Sequence, residues 1–102
     1  MIFETLFESA RRGELLLIEG GFCHWHLRCD GQLTIREIIC TRKGGGNEIL
    51  EKLKRVPGAA SLFAKCPVDL VANDWYRRRG FECEGVETTK TGRKLNLWRF
   101  QL

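Results

Sequence analysis

Residues 33–56 read LTIREIICTRKGGGNEILEKLKRV, and this stretch decides the fold. Leu33 to Cys40 is rich in β-branched and apolar residues, which predicts a strand that becomes buried towards its end. Gly44, Gly45 and Gly46 follow with no bulk between them, so the backbone turns sharply and lets a ligand approach the main chain. From Asn47 to Val56, the residues Ile49, Leu50, Leu53 and Val56 fall on one helical face. Glu48 with Lys52, and Glu51 with Arg55, support that helix at i,i+4 spacing, and Val56-Pro57-Gly58 stops it. A strand, a glycine turn and a helix N-terminus bind phosphate through free N–H groups and the positive end of the helix dipole. Alone the arrangement is not specific, because glycine turns also join strands to helices for reasons of geometry. The loop lacks the Gly-Lys-Ser/Thr ending of a Walker A loop and the G-x-G-x-x-G spacing of the dinucleotide fingerprint.

At 102 residues the chain has room for one core, and a single domain over residues 1–102 is expected. The longest apolar run, Leu15 to Ile18, is too short to cross a membrane. Met1-Ile-Phe-Glu lacks the basic start and apolar core of a signal peptide, so a cytoplasmic protein is expected. The cysteines (Cys23, Cys29, Cys40, Cys66 and Cys83) are odd in number and scattered, which points to free thiols in a reducing compartment. The net charge of +4 is compatible with an anionic cofactor, with nucleic acid or with neither.

In chain order, Ile2 to Arg12 predicts a short amphipathic helix ended by Gly13. Glu14–Glu19, Phe22–Cys29 and Gln32–Cys40 then form an antiparallel meander, with hairpin turns at Gly20-Gly21 and Asp30-Gly31. Cys23, His24, His26 and Cys29 invite a zinc reading, but strand alternation sends the cysteines and the histidines to opposite faces. A tetrahedral site needs convergent ligands, so no metal is expected. The same alternation places Glu37 with Leu33, Ile35 and Ile39. A carboxylate buried on that apolar stripe would act as a general base near neutral pH; the alternative is an ion pair with a basic neighbour. Ala59–Cys66 predicts a strand parallel to the third one. Asp69 is a candidate N-cap for a helix running to Arg79, which Gly80 ends. Phe81–Thr88 and Arg93–Gln101 close the chain as a hairpin.

Two segments together carry a resemblance. Thr41-Arg42-Lys43-Gly44-Gly45-Gly46 resembles motif A of the GCN5-related N-acetyltransferases (the GNAT superfamily), Q/R-x-x-G-x-G/A, with Gly44 and Gly46 as its glycines. Tyr76-Arg77-Arg78-Arg79-Gly80-Phe81 resembles that family's Y-x-x-x-G-F segment. The resemblance covers about Phe22 to the C-terminus and implies an α+β fold, a mixed and mostly antiparallel sheet flanked by helices. It also implies acetyl-CoA as cofactor. Backbone N–H groups from Arg42 to Asn47 would hold the CoA pyrophosphate, with charge from Arg42 and Lys43. The edge of the third strand at Ile39 and Cys40 would pair with the pantetheine arm, and Asn73 would bond it. Tyr76 would give its proton to the departing thiolate, and Glu37, or a water it orients, would be the base. The bland reading of Tyr76 is a helix tyrosine packed beside Trp75.

The chain departs from the pattern at Thr41, which stands at the Q/R position, and at Gly45, where an apolar residue is usual and a looser loop is expected. Asp69 stands where the family commonly has Asn. With only about twelve residues before the first strand, the N-terminal helical region is expected to be truncated and the acceptor site open. That favours a protein lysine or N-terminus as acceptor, or a site completed in a homodimer that covers the exposed sheet edge. Two other classes stand beside the acetyltransferase reading. One is a catalytically inactive acyl-CoA-binding or interaction module on the same fold. The other is a nucleic-acid binder; against it, Arg77-Arg78-Arg79 does not form one helical face and no RNP-like aromatic pattern is present.

Overall fold

The computed structural model describes residues 13–102, so the helix expected over Ile2–Arg12 lies outside the described residues. The strands are β1 (Leu15–Ile18), β2 (Gly21–Leu27), β3 (Gln32–Cys40), β4 (Ser61–Pro67), β5 (Glu82–Thr88) and β6 (Lys94–Gln101). They form one sheet in the order β1-β2-β3-β4-β6-β5. Only β3 and β4 run parallel, as expected of two strands joined through a helix; every other pair is antiparallel. Helices α1 (Gly45–Leu53) and α2 (Ala72–Arg78) share one apolar core with the sheet, in which Leu33, Ile49, Leu53 and Leu62 are fully buried. Among the described residues no helix is long and apolar enough to cross a membrane.

Two local features set up the site. The first is the length of the β3–β4 ladder, which runs only from Gln32 opposite Ser61 to Ile35 opposite Ala64. Beyond it β3 stays paired with β2 out to Cys40, and β4 stays paired with β6 out to Pro67. Each strand therefore keeps its outer neighbour while leaving its inner one, and a gap opens in the middle of the sheet. The second feature is a β-bulge. Trp25 pairs with Ile35 and His24 with Glu37, which makes Arg36 an extra residue in β3.

The bulge corrects the alternation read from the sequence. Leu33 and Ile35 face the core before it, and Ile38 and Cys40 take over after it. Glu37 and Ile39 are turned to the other face and are exposed. An uninterrupted strand would have buried both, because a one-residue slip exchanges the two faces.

The helices also begin elsewhere than expected. Helix α1 starts at Gly45, so Gly44, with φ of 81°, makes the left-handed turn alone and the next two glycines are already helical. Helix α2 starts only at Ala72, and its N-cap is Val71 with no side-chain hydrogen bond, not Asp69.

Candidate active site

A cleft of about 330 Å3 opens where β3 leaves β4. Ile38, Cys40 and Arg42 line one wall, Gly44, Gly46 and Asn47 the head of α1, and Ala72, Trp75, Tyr76 and Arg79 the opposite wall. The structure thus brings motif A and the tyrosine helix to one place, although about thirty residues separate them in the chain.

The head of α1 is left without caps. Gly44 has no side chain to offer. The N–H of Gly45 donates to the carbonyl of Arg42 at 3.0 Å, and that of Glu48 to the carbonyl of Gly44 at 3.1 Å. The N–H groups of Gly46 and Asn47 have no such partner among the described residues. They stand at the positive end of the helix, and both residues line the cleft. These are the groups a phosphate would satisfy.

The remaining loop residues divide. Thr41 is turned away: its N–H and hydroxyl both donate to the carbonyl of Gly20, at 2.7 and 3.0 Å. Lys43 is exposed and does not line the cleft. Arg42 lines it, but its guanidinium donates to the carbonyl of Glu19 at 2.9 Å and to the Glu48 carboxylate at 2.6 Å. Gly45 tightens the loop instead of loosening it, because a Cβ there would overlap the Cys40 sulfur. Gly46 is equally constrained, since its Cβ would lie 2.6 Å from the Trp75 ring.

Tyr76 is buried against Trp75, Phe81 and Trp98, with ring centroids at 5.2, 5.2 and 6.3 Å. Burial pushes its phenol up to about 12, with the nearby Cys66 and Cys23 thiols acting in the same direction. The hydroxyl therefore keeps its proton across the physiological range. It lines the cleft and donates to none of the described residues.

Of the other expected residues, Ile39, Asn73 and Glu37 do not line the cleft either. Asn73 sits in the first turn of α2, buried and outside the cleft lining, and its amide is saturated. It donates to the carbonyls of Pro67 and Leu70 at 2.8 and 2.7 Å, and accepts from Asn96 and the Trp98 indole at 3.0 and 2.8 Å. No hydrogen-bonding capacity remains for a ligand. Glu37 stands on the far face of the sheet, opposite His24, for the reason the bulge gives.

Ile38, Trp75 and Arg79 are cleft residues that the sequence did not single out. Trp75 and Arg79 are four apart on one helix, and that spacing was the available signal. Ile38 was hidden by the bulge.

Solved structures of the same shape were found by comparison. A GNAT-family protein from Desulfovibrio desulfuricans superposes with a TM-score of 0.68 at 20% identity, over 80% of this chain and 60% of that one. The fold is that of the GNAT acetyltransferases. The ribosomal-protein-alanine N-acetyltransferase of Brucella melitensis has the GNAT fold over 98% of this chain and 76% of its own, with a TM-score of 0.71 and 19% identity. A Bacillus subtilis acetyltransferase in complex with CoA matches 81% of this chain and 69% of its own, with a TM-score of 0.66 and 16% identity. No family model and no curated protein matches the sequence.

Proposed function

We propose that this chain is a GNAT-type N-acetyltransferase that passes an acetyl group from acetyl-CoA to a primary amine by direct attack. The observation that carries the reading is the meeting, in one cleft, of the uncapped N–H groups of Gly46 and Asn47, the unpaired edge of β3 and a protonated Tyr76. The CoA-bound neighbour with this fold supports the choice of cofactor.

Acetyl-CoA would supply an activated acetyl thioester. Gly46 and Asn47 would hold its phosphates by main-chain donation, which costs no side-chain ordering. Beyond Ile35, the stretch Ile38 to Cys40 stays paired with β2 but has no strand on its gap side among the described residues, so the peptide groups that point into the gap are free to bond an extended amide-containing arm. A peptide N–H on that edge would polarise the thioester carbonyl. Tyr76 holds a proton beside the gap and gives it to the sulfur as the carbon–sulfur bond breaks.

Both helices wall the core side of the gap, so the amine enters from the far face. There the exposed Glu37, acting through water, takes the proton that the amine releases. The Brucella neighbour's name supports a protein amine as the acceptor class.

The test is turnover. Tyr76→Phe should lower kcat for CoA-thiol release about 100-fold with KM for acetyl-CoA little changed, the pattern of a group that acts in the transition state only. Unchanged kcat would remove Tyr76 from the chemistry. Binding without turnover in the unmodified protein would instead favour the inactive acyl-CoA-binding module, a reading that the turned-away Thr41 supports.

A further inference from the structure

Motif A ordinarily brings a side-chain contact to the phosphates at the position occupied here by Thr41, and Thr41 is committed to Gly20. The cleft nevertheless needs positive charge to offset a polyanion, and among the described residues its lining has two cations, Arg42 and Arg79. Arg42 is neutralised by Glu48. Arg79 has no carboxylate partner among the described residues. Its two neighbours in the arginine run do: Arg77 and Arg78 both pair with Asp74, at 2.7 and 3.5 Å, and both are exposed.

Arg79 is also held in place. Its Nε donates to Asn47 Oδ1 at 3.0 Å, and its guanidinium lies 4.6 Å from the centroid of the Trp75 ring. Trp75 in turn rests on Gly46. The two terminal nitrogens of Arg79 are left with no partner among the described residues, while one hydrogen bond and the contact with an aromatic ring hold the group in place. A guanidinium fixed in this way forms a fork for two oxygens of one phosphate at small entropic cost.

We propose that Arg79, positioned by Trp75 and Asn47, is the phosphate anchor of the acyl donor and replaces from α2 the contact that Thr41 does not make. The donor is then selected as a phosphorylated thioester. An acyl-pantetheine without phosphate is discriminated against, because it leaves the fork unsatisfied. This inference rests on the acyl-CoA reading of the cleft, and its failure is separable from the failure of that reading.

The experiment is calorimetric titration of the full chain with CoA, 3′-dephospho-CoA and pantetheine, for the unmodified protein, Arg79→Ala, Arg79→Lys and Arg77→Ala. Arg79→Ala should weaken CoA about tenfold and leave pantetheine unchanged, as expected for loss of a charge-assisted pair. Arg79→Lys should recover only part of the loss, since an ammonium cannot bond Asn47 and fork a phosphate together. Arg77→Ala should match the unmodified protein. An equal loss on CoA and dephospho-CoA places the contact at the pyrophosphate, and a loss on CoA alone places it at the 3′-phosphate; both support the anchor. Full CoA affinity in Arg79→Ala overturns the inference and leaves the cofactor reading standing. An equal loss on pantetheine also overturns it, because that result describes packing under Trp75. No heat with CoA in any variant overturns both.

Discussion

At the scale of single residues, the site depends on groups with no room to spare. Cys40 and Gly45 form one such pair, a thiol occupying the space a Cβ would need. Gly45→Ala should cost about 1–3 kcal/mol in urea denaturation, the usual penalty of overpacking. Adding Cys40→Ala should return most of it, because the side chain that clashes is then gone. If the double variant is as unstable as Gly45→Ala, the strain is in the helix start and not in this contact. Little of this was legible beforehand. The sequence names the three glycines, and Gly44 and Gly46 match motif A, but whether Gly45 loosens or tightens the loop depends on where the Cys40 side chain points. That in turn depends on the bulge at Arg36, which no residue type announces. The same bulge removes Glu37 and Ile39 from the face on which simple alternation puts them.

At the scale of elements, strand and helix order were legible from periodicity and turn residues, and the parallel β3–β4 pair followed from an intervening helix. The parting of those strands was not legible, because it reflects which neighbour each strand keeps. Asn73 shows the difference between motif and mechanism. Its position beside the tyrosine suggested a ligand contact, yet it ties α2 to the end of β4, to the loop at Leu70 and to β6 through four hydrogen bonds. Asn73→Ala should therefore destabilise by about 2–4 kcal/mol, since it leaves the Trp98 indole and buried carbonyls unpaired. It should also raise KM for acetyl-CoA indirectly, by loosening the helix that carries Trp75, Tyr76 and Arg79. Asn73→Ala with unaltered stability in urea would mean that water replaces the amide and that α2 is held by packing alone.

At the scale of the whole molecule, buried acids make stability depend on alkali, and burial raises the Cys66 thiol as well as the two groups with the largest shifts. Burial pushes the Cys23 thiol from 9.0 to about 12 and the Tyr76 phenol from 10.0 to about 12. Both values rise on folding, so their contribution is intact below the unfolded values and is lost as pH climbs through the folded ones. The urea midpoint should stay level up to about pH 9 and fall from there to about pH 12. Cys23→Ala and Tyr76→Phe should each flatten part of that fall, and a slope identical in both variants would show that other groups cause it. The larger claim is that a gap between β3 and β4, headed by the uncapped N–H groups of α1, is an acyl-CoA site. Calorimetric titration of the full chain with acetyl-CoA, with Tyr76→Phe alongside, tests this most directly. The account predicts one-to-one binding in the micromolar range, the same within about twofold in the variant, because Tyr76 acts on the leaving sulfur and not on affinity. Absence of heat and of thermal stabilisation at millimolar acetyl-CoA would contradict it.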